Sequence, residues 1–411
     1  MKTNLLLNTN KNLSQSALFI LGVIYLSIII RIIFAINLEG FVNDQGFWIR
    51  WMQLTENLGI RAAYLNDNEL NYPPMFVFIL YWYKKILDLL YIVPVSGGGI
   101  VKLPMILFDI ISIIVFLLVH KYQKHTVNWF VFIFFALNPA LIFDSAVWGQ
   151  VDILHSLLMV LTILLIVDAP MAAGIIYSLA LATKFQSIVI FPIILVFLLR
   201  KGFLVEKDYK HAIKFIVGFL FPCIIVFIFF TLEGTFIKMV KNAYFSAVGF
   251  YPNVSMNAFN IWFYLVGTNP DTSDNIEIMS GVTIKLLGFC LLAMVAILVC
   301  IYILFSRKID LIILLKLSVL LNFSFFMLPT EIHERYSIPA LVFLLFLLIL
   351  EKKFVKEVLL MTLAVFFNLL AVNYTGVEPS KVMWIVYLNC IIFTLLFKDF
   401  MSELIQIKKE N

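Results

Sequence analysis

Asp44 lies in the stretch Gly40-Phe41-Val42-Asn43-Asp44-Gln45-Gly46-Phe47-Trp48-Ile49-Arg50-Trp51, directly after the first apolar run. Read as a helix, Phe47, Trp48, Trp51, Leu54, Thr55 and Leu58 share one face, and Gln45, Arg50, Gln53, Glu56 and Asn57 fall on the others. Asp44 sits where such a helix begins. One role there is an N-cap, because Asp accepts from an orphan backbone N–H. A second role is chemical. A helix N-terminus stabilises a carboxylate's charge, and an ionised carboxylate facing water can act as a general base. The two roles are compatible. Further along, Asp144 and Asp152 flank Trp148-Gly149-Gln150, which reads as a shaped turn carrying a sugar-stacking aromatic. An interfacial Trp is common in any membrane protein. Lys184 stands between two apolar runs, isolated from other charge on its side; it either snorkels or binds an anion. His333-Glu334-Arg335 packs three titratable residues into one turn. They form an interfacial ion pair, or Arg335 grips a phosphate bidentately. Tyr72-Pro73-Pro74 alone is ordinary loop chemistry, with Pro starting a helix. Asp109 falls inside an apolar run and is a functional candidate for that reason, with Lys102 as an equally good structural partner. No D-x-D, H-x-x-x-H or carboxylate cage appears, so no catalytic metal is indicated.

The elements that hold these residues are set by composition. The chain has 411 residues, 63% of them hydrophobic and 13% charged, with a mean hydropathy of +1.01. Apolar runs of membrane-crossing length recur along it, which makes it an all-α polytopic membrane protein. The run from Leu18 to Ile36 is too long for a signal-peptide core and lacks a small-residue cleavage site, so it reads as a spanning helix. A net charge of +5, spread over short loops, sets topology and gives no sign of nucleic-acid binding. The four cysteines lie in apolar runs and read as small hydrophobes.

About 12 spans are expected: 17–36, 102–120, 127–143, 153–168, 170–183, 185–200, 211–232, 281–305, 309–328, 337–350, 357–373 and 382–398. Two long loops, 37–101 and 233–280, carry amphipathic helices. Residues 75–93 read as a helix lying on the membrane surface, because Lys84 and Lys85 stand at the middle of the run and Tyr81, Trp82 and Tyr83 form an interfacial belt. With that segment on the surface, seventeen Lys and Arg residues fall on the side of the termini and ten on the other. The bias puts both termini in the cytoplasm. Asp44, Tyr72, Trp148, Gln150, Asp152, Lys184, Asn260, His333 and Arg335 then all face outside.

In order, an Asp in the first external loop, Tyr-Pro-Pro, Trp-Gly-Gln-x-Asp, Lys-Phe-Gln and His-Glu-Arg-Tyr resemble the GT-C superfamily of integral-membrane glycosyltransferases. The likeness covers roughly residues 17–340. It is nearest to bacterial relatives of the GPI-anchor second-mannose mannosyltransferase and more distant to the dolichyl-phosphate-glucose glucosyltransferases. Arg335 stands where the glucosyltransferases carry Lys, and Trp148-Gly149-Gln150-Val151-Asp152 differs from their His-rich turn. The resemblance implies a GT-C-type transmembrane module over 1–200, with the first external loop at 37–101. A C-terminal transmembrane module follows over 201–411, with its external loop at 233–280.

It also implies an inverting hexosyltransferase, mannose favoured, with a polyprenyl-phosphate sugar as donor and a glycolipid or glycan as acceptor. The cell would be bacterial and the site on the outer face of its plasma membrane. Asp44 would be the base, Lys184, Arg335 and His333 would bind the donor phosphate, and Tyr72, Trp148, Gln150, Asp152 and Asn260 would contact sugar or acceptor. No metal or other cofactor is expected, because a lipid phosphate is already a good leaving group. The alternatives are a flippase or transporter of lipid-linked sugars, which needs no base, and a polymerase or ligase using a polyprenyl-diphosphate donor.

Overall fold

In hydrocarbon every backbone N–H and C=O must be satisfied within its own segment, so long apolar runs become helices. A computed structural model of the protein describes residues 2–124, 127–246, 249–266 and 271–410, with side chains over 17–124, 127–246, 249–264 and 271–407. The side chains of Lys2, Lys11, Lys408 and Lys409, which enter the charge bias, lie outside the described ones. Every apolar segment expected from the sequence is helical. Among the described residues, eight helices are long and apolar enough to cross a membrane: Ala17–Asn37, Gly99–Lys124, Trp129–Trp148, Phe185–Leu204, Tyr209–Thr231, Ile284–Phe305, Lys352–Thr375 and Pro379–Ile407. Four more are shorter: Asp152–Leu165, Pro170–Thr183, Leu311–Met327 and Ile338–Leu350. Among the described residues, the strand content is one small antiparallel pair, Glu277–Met279 with Val282–Thr283.

Ile338–Leu350 is apolar all round, and its residues from Ile338 to Ile349 are buried. Such a helix belongs in a core rather than at an amphipathic surface. It packs against Leu311–Met327 and Asp152–Leu165. Helices Pro170–Thr183 and Tyr209–Thr231 cross closely, and small residues allow it. A Cβ on Gly174 would meet the Phe215 carbonyl oxygen at 2.1 Å, and one on Gly218 would meet that of Met171 at 2.1 Å.

The first long loop has a core of its own. Helices Val42–Leu58, Ile60–Asn66 and Pro74–Leu89 bury Trp48, Trp51, Met52, Tyr64, Phe76 and Leu80 together. The Trp48 and Phe76 rings meet edge to face with centroids 4.9 Å apart. In Pro74–Leu89 the charge near the middle of the run is satisfied locally: Lys84 pairs with Glu56 at 2.5 Å and also with Asp88. The face of Val42–Leu58 differs from the expected one. Gln45, assigned to a polar face, is fully buried, and Leu58, assigned to the apolar face, is exposed. Gln45 is drawn inward because its amide bonds the Glu39 and Trp148 carbonyls, each at 3.0 Å.

Asp109 is also partnered differently. It pairs with Arg31 at 2.7 Å, not with Lys102, whose ammonium donates to the carbonyls of Ala35 and Leu38. A guanidinium on the first helix satisfies the buried carboxylate with directional N–H groups.

Candidate active site

Asp44 is the third residue of helix Val42–Leu58, within its first turn. Phe41 occupies the cap position and no side chain caps the helix, so the N-cap role falls away. The carboxylate points instead at the Trp148–Gln150 turn. Its Oδ2 accepts from Trp148 Nε1 at 3.0 Å and from Gln150 Nε2 at 2.5 Å. Its Oδ1 takes no hydrogen bond from the described residues, and the side chain is 17% exposed. One oxygen is fixed by two donors and the other is open.

The turn that supplies those donors is built by an irregular helix end. Residues Phe143–Trp148 form a π-helical turn, a local widening that recurs at functional sites. Gly149 ends it in the left-handed region at φ 85°, and the N–H groups of Gly149 and Gln150 both donate to the Asp144 carbonyl. The loop stitches itself to this turn: Gln45 Nε2 bonds the Trp148 carbonyl and Trp48 Nε1 the Gly149 carbonyl, each at 3.0 Å. Gly40 makes the approach possible. Its φ is 73°, and a Cβ there would lie 1.8 Å from the Val147 carbonyl oxygen. Phe41 consequently stacks on Trp148 at 4.8 Å. The Tyr72 hydroxyl reaches Gln150 Oε1 at 3.3 Å, which turns the amide N–H towards Asp44.

Two cations complete the cluster. Lys184 caps helix Pro170–Thr183 and pairs with Asp152, the first residue of Asp152–Leu165. It is therefore not isolated from charge, as its place in the sequence suggested. The two lie 32 positions apart, but the folding of one short helix against the next brings them together. Arg335 sits between three carboxylates: Nη1 is 3.5 Å from Asp44 Oδ2 and pairs with Glu334, and Nε is 3.6 Å from Asp152 Oδ2. Neither Arg335 Nε nor Asp152 Oδ2 makes a hydrogen bond, although they face each other. The separation lies just beyond hydrogen-bonding range. Burial, reinforced by the charges of Arg335 and Lys184, pushes His333 well below its ordinary value and leaves a neutral imidazole. Burial likewise raises the carboxyl of Glu334. The Tyr72 phenol is raised by burial too, so it stays a neutral donor.

Asp44, Tyr72, Trp148, Gln150, Asp152, Lys184, His333 and Arg335 thus converge. Asn260 does not bond any of them: it donates to the Phe326 carbonyl at 3.1 Å and accepts from Trp262 N–H at 3.0 Å, holding the second long loop to the helix end. That loop also reaches the His333 turn, through the Met256 N–H to Ile332 carbonyl bond at 3.0 Å. Two members of the neighbourhood had no role assigned from sequence, although Tyr336 closes the His-Glu-Arg-Tyr stretch. His155 bonds Asp152 at 3.2 Å, and Tyr336 places its ring 4.9 Å from the Lys184 ammonium. An i, i+3 step from Asp152 was the only available signal for His155. Among the described residues, no group of three His, Cys, Asp or Glu side chains is arranged to hold a metal ion.

A cavity of about 1060 Å³ opens beside the cluster, with an almost wholly apolar lining. Helix Pro74–Leu89 forms one wall with Met75, Ile79 and Trp82, and Ala182 and Tyr244 border it on another side. Its lining adjoins the site in sequence at two places: Met75 follows Tyr72-Pro73-Pro74, and Ala182 precedes Lys184 by two residues.

No curated protein matches the chain. The sequence model of glycosyltransferase family 87 matches residues 71–330, well over half of the chain. The matched segment runs across residue 200 and includes Tyr72, Trp148, Gln150, Asp152 and Lys184, while Asp44 and Arg335 lie outside it. The protein belongs to glycosyltransferase family 87, a family of GT-C-like membrane glycosyltransferases.

Proposed function

We propose that the protein moves a hexose, mannose favoured, from a polyprenyl-phosphate sugar to a glycolipid or glycan acceptor, with inversion, on the extracytoplasmic face. The observation that carries this reading is the division of Asp44. Trp148 and Gln150 hold Oδ2, which also lies 3.5 Å from Arg335 Nη1, while Oδ1 takes no hydrogen bond from the described residues. A general base needs one accessible oxygen in a fixed direction, and such positioning contributes about 10²–10⁴ in rate. The acceptor hydroxyl oxygen forms the new bond to the anomeric carbon, and its proton passes to Asp44 Oδ1. The bond between the anomeric carbon and the phosphate oxygen breaks, and its electron pair leaves with the lipid phosphate. The phosphate changes from a diester with one charge to a monoester with one charge more. Arg335 and Lys184 meet that added charge, and neutral His333 supplies a hydrogen bond without a further charge.

The apolar cavity beside Pro74–Leu89 suits the polyprenyl chain, since its lining is almost wholly apolar and includes Ala182, two residues before Lys184. In this reading Tyr72, Gln150 and Asp152 are the groups that contact the sugar or acceptor. The buried Trp148 orients Asp44 through its N–H, and its ring is covered by Phe41. The seventeen-to-ten basic bias supports cytoplasmic termini and an external site. The test is incubation of the purified protein with radiolabelled polyprenyl-phosphate mannose, glucose and other hexoses, with and without EDTA. Transfer or slow hydrolysis of one donor, unaffected by EDTA, is expected. Activity only with polyprenyl-diphosphate donors, or only with added Mn²⁺ or Mg²⁺, overturns the donor assignment.

A further inference from the structure

The Asp152 carboxylate faces three positively charged or donating groups. Its Oδ1 accepts from Lys184 and lies 3.2 Å from His155 Nε2, and its Oδ2 faces Arg335 at 3.6 Å. His155 is completely buried one helical turn beyond Asp152, and its other nitrogen, Nδ1, lies 3.4 Å from Ser187 Oγ. Ser187 belongs to the 3₁₀ turn Phe185–Ile190 that follows Lys184, and its single hydroxyl proton goes either to that nitrogen or to the Ala180 carbonyl at 3.1 Å. A closed chain therefore runs from Lys184 through Asp152 and His155 to Ser187, three residues after Lys184 itself. It ties the helix carrying Asp152 to the turn carrying the ammonium.

We infer that His155 is a positioning residue that sets how strongly Asp152 holds the two phosphate-facing cations. A carboxylate paired with two cations competes with any incoming anion for them. An imidazole N–H on Oδ1 withdraws part of that oxygen's charge and fixes its direction. Asp152 then orients Lys184 without quenching it. Without the imidazole, Oδ1 turns wholly to Lys184, and Oδ2 is free to close the 3.6 Å gap to Arg335. Both cations are then spent on Asp152 rather than on phosphate. The geometry assigns this role to no other group, because among the described residues His155 is the donor on Asp152 that carries no fixed charge. The inference rests on the donor reading above, since it is the phosphate that competes.

The experiment is a double-mutant cycle between His155 and Asp152, with undecaprenyl phosphate binding in nanodiscs as the first readout and turnover of the active donor as the second. His155→Leu should weaken phosphate binding on the order of tenfold, and His155→Gln, which keeps an N–H, should restore much of it. In an Asp152→Asn background, His155→Leu should have almost no further effect, because the competing charge is gone. Thermal midpoints in detergent separate this from misfolding: a packing role lowers the midpoint equally in both backgrounds and gains nothing from Gln. Additive losses in the cycle overturn the inference while leaving the donor reading intact. A wild-type protein that binds no polyprenyl phosphate overturns the donor reading, and the inference with it.

Discussion

Two buried clusters of charge sit in the same helical scaffold, and they differ in how completely they are paired. In the first, Arg31 Nε donates to Asp109 at 2.7 Å, Nη1 donates to the Ala136 carbonyl at 3.0 Å, and Ser145 adds a 2.7 Å bond to the same carboxylate. One cation meets one anion, and Arg31 Nη2 is the atom left over. In the second, Lys184 pairs with Asp152, and Arg335 lies among Asp44, Asp152 and Glu334, with Asp144 buried in the adjoining π turn. Both oxygens of Asp144, Oδ2 of Asp152 and Nε of Arg335 are buried without a hydrogen bond. Buried polar groups are normally satisfied, so a cluster of orphans marks capacity reserved for something else. The closed cluster ties the first helix to the π segment Phe143–Trp148 through Ser145, its third residue. The open cluster is where a ligand's charge can be met.

The comparison predicts opposite behaviour on mutation, and the largest effect belongs to the closed pair. Arg31→Ala leaves Asp109 buried and uncompensated, which should cost about 3–5 kcal/mol of stability. Thermal unfolding in detergent is the measurement. The paired change Arg31→Met with Asp109→Leu should recover most of that loss, since apolar isosteres often replace a buried ion pair at little cost. If Arg31→Ala kept its unfolding midpoint but lost turnover, the closed pair would belong to the chemistry and the comparison would break.

Next in size is Asp44→Asn. The amide keeps the shape and cannot take a proton at neutral pH. Turnover should fall by about 10²-fold or more, with donor affinity and thermal midpoint nearly unchanged. Single-turnover rates at saturating donor decide it. Normal turnover at saturation would make Asp44 a binding residue and move the base to Asp144 or Asp152. Lys184→Ala and Arg335→Ala should differ in kind, lowering donor affinity and turnover together. Arg335→Lys should rescue only in part, because an ammonium cannot span Asp44, Asp152 and Glu334 as the planar guanidinium does.

How legible this was from the sequence depended on the range of the interaction. Helix positions followed from hydropathy, because lipid leaves a chain few alternatives. Asp44, Trp148, Gln150, Lys184 and Arg335 stood out as polar residues beside apolar runs. Their pairing did not. Lys184 reads as isolated until Asp152, 32 residues away, is folded beside it, and Asp109 reads as a partner for nearby Lys102 until Arg31, 78 residues away, claims it. Gln45 was misplaced for the same reason: its partners, the carbonyls of Glu39 and Trp148, are backbone atoms that no side-chain pattern records. The π turn at Phe143–Trp148 left no signal beyond Gly149, yet it aims the two donors at Asp44.

The smallest expected effect sharpens the comparison most, because it acts on the excess of carboxylates itself. Glu334 pairs with Arg335 Nη1, and its second oxygen lies 3.9 Å from His333 Nδ1. Burial lifts its carboxyl above the ordinary range, opposed by Arg335 and aided by Asp44. A group whose folded value is raised contributes stability that is present at low pH and is lost as pH rises through that value. Once ionised, Glu334 is therefore a cost to the fold and a rival to phosphate for Arg335. Glu334→Gln removes the charge and keeps an acceptor for the guanidinium. The midpoint of wild type relative to the variant should fall as pH is raised from 4 to 8. Undecaprenyl phosphate should bind the variant about twofold to tenfold more tightly at pH 8, with the gain shrinking towards pH 5. Weaker binding at both pH values would mean that Glu334 is needed to aim Arg335, and that the open cluster is as tightly interlocked as the closed one.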